Sequence, residues 1–323
     1  MLSQILSSTA LLAGAALTAA PAAAAPSNLQ IRDQRPIWTV AHKILTVDQL
    51  DAALDDQANA IEVDLRVWRK GDDGEDADKW WMSHDKDINK RGDQADVLLK
   101  AIGEKGGDQL SFVVLDIKTP DECEVDQEGC GIGTVVNMAR DFVLSHGIGV
   151  VYGFISPKDA DKDGFRYITE NLGEDDVAVR ITGAANPVLE AFDQFGGNIP
   201  TSRRIMDYGN PNLHGDKGGP KFGKCESADD SEDVCPNLVH AVEEEDNGNL
   251  ASVMLWTVGS SDDDGDKTRQ ALDARINGVV YGFADATYDG SERNEKARNH
   301  IVNWVDDHSD IARIAAQDER PWA

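Results

Sequence analysis

The chain has 323 residues, enough for one large domain or two small ones. Its 59 acidic against 31 basic residues leave a formal charge of −28, which repels nucleic acid phosphates and anionic lipid headgroups and excludes both as bulk electrostatic partners. A zwitterionic headgroup is not excluded.

The first 25 residues carry no charged side chain, and 5–25 is rich in Leu and Ala before an abrupt change to polar sequence after Pro26. Small residues near a cleavage point favour a secretory signal peptide over a membrane anchor, so 1–25 is expected to be removed and 26–323 to form the secreted, mature protein. No later segment is a transmembrane candidate. Residues 37–42 are a short apolar run ending on His42, and 47–57 follows with Leu50, Ala53 and Leu54 at helical spacing. This strand-then-helix unit recurs. Residues 61–67 read as a strand, then a loop holding Trp80, Trp81 and His84 leads to a helix near 94–103. Strand 111–118 precedes helix 133–146, strand 149–155 precedes helix 164–172, and strand 177–181 precedes helix 187–195. Strand 202–208 leads through a long Gly-rich loop to a helix near 236–245. Strand 251–258 precedes helix 267–275, and strand 279–283 precedes helix 297–308.

Strands alternating with helices imply parallel pairing, and eight such units fit a single-domain (β/α)8 TIM barrel better than an open sheet. An open doubly wound sheet would place a Gly-rich phosphate turn after its first strand, where this chain has Ala41-His42-Lys43-Ile44. The acidic runs Asp72-Asp73-Gly74-Glu75-Asp76 and Asp262-Asp263-Asp264 read as solvated loops, since neither has the EF-hand spacing. The four cysteines fall in two close pairs, Cys123 with Cys130 and Cys225 with Cys235. In a secreted chain this favours two local disulfides over a zinc site, because neither pair is Cys-x-x-Cys and no histidine lies close beside one.

The chemistry concentrates at the ends of the early strands. Side chains two apart on a strand point the same way, so Glu62 and Asp64 present two carboxylates to one side while Ile61, Val63 and Leu65 face the other. A third carboxylate, Asp116, ends the apolar run after Ser111, and Lys118 follows it. Three carboxylates suit one hard divalent cation such as Mg²⁺. In a barrel, the loops at the carboxyl ends of the strands converge, which brings His42, Glu62, Asp64, His84, Asp116 and Lys118 to one mouth, with Trp256 and Tyr208 placed to line the same opening. Two histidines across a metal-bound oxyanion point to phosphodiester chemistry: the cation and Lys118 neutralise the phosphate, one histidine acts as base or nucleophile, and the other protonates the leaving group. The remaining five histidines fall on helices or loops away from that mouth. Trp80-Trp81 reads either as core or as a contact with a lipid headgroup.

Arg35-Pro36-Ile37-Trp38, Ala41-His42, Ile61-Glu62-Val63-Asp64, Trp80-Trp81-Met82-Ser83-His84-Asp85, Leu115-Asp116-Ile117-Lys118, Leu255-Trp256-Thr257-Val258 and Arg320-Pro321-Trp322 together resemble the sphingomyelinase D/phospholipase D toxin family over nearly the whole mature chain. The stretch 116–123 and Gly223-Lys224-Cys225 look nearer its bacterial and fungal branch than its spider branch. The resemblance implies a barrel related to glycerophosphodiester phosphodiesterases, with one Mg²⁺ held by Glu62, Asp64 and Asp116. It further implies His42 and His84 as the acid/base pair, Lys118 and Trp256 framing the headgroup, and a tail that plugs the closed end of the barrel. Members of the family expel choline from sphingomyelin or lysophosphatidylcholine by attack of the lipid's own hydroxyl, giving a cyclic phosphate. Where spider members carry an acidic residue after the tryptophan of strand seven, this chain has Gly259, which leaves choline against ethanolamine open. Two rivals stand beside this reading. A glycerophosphodiester phosphodiesterase acting on deacylated lipids usually opens His-Arg-Gly, unlike His42-Lys43-Ile44. A non-catalytic lipid-binding barrel is expected to lose at least one of the five site residues.

Overall fold

The computed structural model describes residues 34–72, 78–173, 176–213, 219–226, 228, 231–283 and 285–322. The expected leader, most of the acidic run at 72–76 and His214 lie outside the described residues. No described helix is long and apolar enough to cross a membrane.

Ten strands are present among the described residues: β1 (Arg35–Ala41), β2 (Ala60–Trp68), β3 (Lys79–Met82), β4 (Phe112–Ile117), β5 (Gly149–Phe154), β6 (Val177–Thr182), β7 (Arg204–Gly209), β8 (Ser252–Val258), β9 (Gly278–Tyr281) and β10 (Ala312–Ile314). Eight of them pair in parallel as a ring, all but β3 and β10, and β1 closes it by pairing both β2 and β9, with Val40 opposite Ala60 and Val280. Eight helices follow the ring strands: α1 (Val47–Asp55), α2 (Ala95–Gly106), α3 (Ile132–Met138), α4 (Asp163–Glu170), α5 (Ala185–Phe195), α6 (Val234–Asp246), α7 (Asp262–Asp273) and α8 (Glu292–Asp307). The expected single-domain (β/α)8 barrel is therefore what the chain forms.

The period-2 pattern sorts the ring into two cores. Trp38, Val40, Ala60, Phe112, Val114, Val151, Ala178, Ile205, Met254 and Val280 point inward and fill the barrel. Their neighbours, such as Ile61, Val63, Leu65, Val113 and Leu115, point outward and meet the helices. Both faces are buried, which is why these strands read as continuous apolar runs.

Two segments differ from the reading of the sequence. Trp80 and Trp81, expected in a loop, lie in β3, which pairs antiparallel with the end of β2, Trp81 opposite Arg66 and Trp80 opposite Val67. β2 runs on past the ring to Trp68 and leaves unpaired backbone there, and an aromatic Lys-Trp-Trp-Met segment is well suited to cover it. Both rings are used within the protein: Trp80 is buried with Nε1 donating to the Gly131 carbonyl at 3.1 Å, and the Arg91 guanidinium lies 3.7 Å from the Trp81 ring centre. The acidic run 262–264 is not a loop but the first turn of α7, where carboxylates oppose the positive end of the helix dipole. Ser261 and Asp264 cap that turn reciprocally, and Asp262 and Asp263 pair with Lys296 and Lys267.

The end of the barrel away from the strand carboxyl termini is closed by the tail. β10 pairs with β1, Ala315 and Trp322 join the interior cluster, and the Trp322 ring centre sits 5.6 Å from that of Phe112. Ser111 Oγ donates to the Glu319 carbonyl, Asn59 to that of Ala315 at 3.0 Å, and Arg320 to that of Gly147 at 2.7 Å. A Cβ at Gly149 would stand 2.6 Å from Arg320 Nε, so the tail packs directly over this glycine. Both disulfides form as local pairs, Cys123–Cys130 and Cys225–Cys235, with Cα atoms 5.9 and 4.9 Å apart, and they restrain the loops after β4 and β7.

One buried acid gives the fold a pH dependence independent of any active site. Burial pushes Glu245, near the end of α6, up to about 7 against the attraction of Arg275 and Arg35. One of its oxygens accepts from Asn277 at 2.9 Å, and the other has no hydrogen-bond partner among the described residues. Because the folded pKa lies above the unfolded one, stability contributed at acid pH is lost as pH rises through about 4.5 to 7. Glu245→Gln is therefore expected to melt above the parent at pH 8 and to lose that advantage below pH about 4.5. Thermal melts at both pH values test this, and a pH-independent difference would refute it.

Candidate active site

The site is built by extending the inward-facing rows one step toward the strand carboxyl ends. Along β2, Ala60 is followed on the same face by Glu62 and Asp64. Phe112 and Val114 of β4 are followed by Asp116, and Trp38 and Val40 of β1 by His42. Asp64 and Asp116 are direct register partners on adjacent strands. The same parity brings Arg180 and Thr182 from β6, Asp207 from β7 and Trp256 from β8 to the mouth. His42, Glu62, Asp116, Arg180, Thr182, Asp207 and Trp256 line a cavity of about 300 Å³ together with His84 and Lys118, while Asp64 is fully buried and is not part of that lining. A larger depression of about 450 Å³ beside the Cys123–Cys130 bridge collects neither histidine nor any of the expected carboxylates.

The carboxylates form the floor. Lys118 Nζ stands 2.6 Å from Asp116 Oδ2 and 2.9 Å from Asp64 Oδ1. Burial alone would lower this ammonium, but Asp116, Asp64 and Glu62 outweigh it and hold it above its usual range. Arg180 reaches Glu62 at 3.0 Å, Asp207 at 2.9 Å and Asp116 at 3.6 Å. Burial pushes Glu62 up to about 8 in spite of Arg180. Burial also opposes the charge on Asp64, yet Lys118 and the two histidines keep its carboxyl below the ordinary range. Four carboxyl groups therefore crowd around Lys118 and Arg180. Neither Asp64 oxygen, nor Asp116 Oδ1, accepts an aligned hydrogen bond among the described residues. An all-oxygen donor set in which Asp64 Oδ2 and Asp116 Oδ1 are buried without a hydrogen-bond partner among the described residues fits one hard divalent cation.

The two histidines stand over this floor with ring centres 6.4 Å apart and planes at 89°. They are held differently. His42 is buried with Nε2 3.8 Å from Glu62 Oε2, and burial pushes its imidazole down to about 4 against the attraction of Asp64. His84 is partly exposed, and its Nδ1 lies 2.9 Å from Asp85 Oδ1, a hydrogen bond that holds Asp85 below the usual carboxylate range. Its loop is tied back to β2, since Ser83 N donates to the Asp64 carbonyl at 2.8 Å and Arg66 to the His84 carbonyl at 3.1 Å.

A family model described as sphingomyelinase D/phospholipase D matches residues 32–322. The chain belongs to this family. Sphingomyelinase D of Aspergillus flavus is 33% identical over 293 residues, which cover 90% of this chain and 91% of the relative. Sphingomyelinase D of Uncinocarpus reesii is also 33% identical, over 296 residues covering 90% and 79%. Both are fungal, in keeping with the branch expected from the motifs. Among solved structures, active domain 2 of a thermostable chitinase from Pyrococcus furiosus superposes with a TM-score of 0.50 at 10% identity, covering 85% of this chain and 98% of that one. That likeness concerns the barrel alone.

Within this sphingomyelinase D/phospholipase D chain, one expected site residue is placed elsewhere. Tyr208 does not line the cavity. It sits half-buried on the outward face of β7 against the helix-side core, with its hydroxyl donating to the Glu232 carbonyl at 2.9 Å, because strand parity turns its neighbour Asp207 inward. Arg180 and Asp207 were not singled out from the sequence. Their signal was a charged residue at an inward position of an apolar strand, in Val177-Ala-Val-Arg180-Ile and Ile205-Met-Asp207-Tyr.

Proposed function

We propose that this chain is a secreted, Mg²⁺-dependent sphingomyelinase D. It releases choline or ethanolamine from sphingomyelin and lysophospholipids and leaves a cyclic phosphate on the lipid. Phospholipase D-type phosphodiesterase activity is supported by family membership and by relatives bearing the sphingomyelinase D name over most of their length. The finer reading is carried by one observation: two histidines in unlike electrostatic settings face each other across a buried floor of carboxylates. Secretion is supported by two disulfides, which persist in oxidising compartments.

A cavity of about 300 Å³ lies at the small end of ligand pockets, so it takes the headgroup phosphodiester and leaves the acyl chains outside. Mg²⁺ on Glu62, Asp64 and Asp116 supplies charge neutralisation for the phosphate when bound. His42, kept neutral by burial, takes the proton of the lipid hydroxyl as its oxygen bonds to phosphorus. His84 gives a proton to the headgroup oxygen as the bond from phosphorus to that oxygen breaks, with Asp85 stabilising the protonated ring. One proton is taken and one given, and solvent restores both rings. Lys118 holds Asp64 and Asp116 in place and adds positive charge beside the phosphate. The Trp256 ring offers a π-face to a quaternary ammonium, and no carboxylate from 262–264 shares that task, since those residues open α7.

The test is ³¹P NMR of the purified protein with sphingomyelin, lysophosphatidylcholine and glycerophosphocholine, each with Mg²⁺ and with EDTA. A metal-dependent cyclic phosphate from either lipid is expected. An open-chain monophosphate from either lipid would mean a phospholipase D that uses water, turnover of glycerophosphocholine alone would assign a glycerophosphodiester phosphodiesterase, and no turnover of any of them would favour a binding protein or an untested headgroup.

A further inference from the structure

Arg180 is 2% exposed, and it is the one cation that touches Glu62, Asp116 and Asp207 together among the described residues. A guanidinium buried this deeply is retained only if its donors are matched by acceptors and its charge by anions. Here Nη1 carries the hydrogen bonding, while Nε has no hydrogen-bond partner among the described residues. Asp207, 1% exposed, takes Nη1 at 2.9 Å and is itself oriented by Thr182 Oγ1, which donates to Oδ1 at 2.6 Å. The same nitrogen reaches Glu62 Oε1 at 3.0 Å. On β5, Gly153 gives the guanidinium its space, since a Cβ there would stand 2.9 Å from Nη2 and 3.1 Å from Nε. Asp207 lies on the far side of the barrel from β2 and has no part in the acid–base steps above. Its position makes it the counter-charge that stops Arg180 from pairing wholly with Glu62 and Asp116.

We propose that Arg180, clamped by Asp207, Thr182 and the gap at Gly153, is a positioning residue that holds Glu62 and Asp116 ready for the divalent cation and sets the affinity of that site. This rests on the reading of Glu62, Asp64 and Asp116 as metal ligands. With Asp207 in place, Arg180 shares its charge among three carboxyl groups. Without it, the full guanidinium charge bears on Glu62 and Asp116 and competes with the metal for them. The same displacement follows mechanically if Gly153 gains a methyl group, with no change of charge.

Mn²⁺ binding to the metal-free full chain, followed by isothermal titration calorimetry and by the Mn²⁺ electron paramagnetic resonance signal, tests this without reference to turnover. Asp207→Asn and Gly153→Ala are each expected to weaken Mn²⁺ binding at least tenfold per folded molecule, with folding checked by circular dichroism. A role confined to holding the fold together would lower the melting temperature and leave that constant unchanged. If Asp207→Asn does not fold, Gly153→Ala, which keeps every charge, carries the test. A parent that binds no Mn²⁺ would overturn the metal site itself. A parent that binds while the folded variants stay within threefold of it would overturn only the positioning role.

Discussion

Replacing His42 or His84 with alanine is expected to cut headgroup release from sphingomyelin by about a thousandfold while leaving the circular dichroism spectrum unchanged. Positioned acid–base groups contribute roughly 10²–10⁴-fold each, and the two rings hold no strand or helix in place. His42 Nδ1 has no hydrogen-bond partner among the described residues, and His84 is joined to its neighbour Asp85. The two variants should differ on an activated substrate. A phosphodiester with a nitrophenol leaving group needs no proton from the enzyme, so His84→Ala should recover most of its activity there and His42→Ala should not. The reverse pattern would exchange the two roles. Equal and full activity of either variant on sphingomyelin would remove that histidine from the chemistry.

Asp64→Asn is expected to be as damaging, and for a different reason. Its carboxylate is fully buried, with Oδ1 2.9 Å from Lys118 Nζ and Oδ2 without a hydrogen-bond partner among the described residues, which leaves Oδ2 for a cation. Lys118 keeps Asp116 at 2.6 Å in the variant, and the fold should survive. The parent should melt several degrees higher in millimolar Mg²⁺ than in EDTA, because a ligand that binds only the folded state stabilises it by mass action. Asp64→Asn should lose that increment together with about three orders of magnitude in kcat. Differential scanning fluorimetry with and without Mg²⁺ reads the first effect, and an undiminished Mg²⁺ increment in the variant would sink the assignment.

What could be read from the sequence was whatever depends on nearest neighbours along one strand. Glu62 and Asp64 share a face because strand parity is local, and Asp116 and Lys118 follow from the same rule. Tyr208 shows the limit of that reading. A strand expected over 202–208 and found over 204–209 has the right location, but the inward residue is Asp207, and parity allows no intermediate answer. Arg180 was illegible for another reason, since its role depends on Glu62, 118 residues away, and on a methyl-sized gap at Gly153. The start of α7 was more available than the reading made of it: Ser261 with an acidic residue three places on is a capping pattern, and the run of aspartates after it belongs at a helix N-terminus.

The ring that holds the site is closed by its first strand. β1 must find β9, with Trp38 opposite Gly278, before the barrel is a barrel, and the tail then seals the far end through β10 and Trp322. The paired segments are nearly the whole chain apart, so closure has high contact order and comes late and slowly. Both histidines and all three proposed metal carboxylates lie between His42 and Asp116, in the first part of the chain to be made. A ribosome two thirds of the way along has thus already built all five of these side chains, while the spacing between them waits on residues not yet joined. The proposed chemistry is in this sense a property of the finished chain, assembled only when β1 meets β9 and the tail.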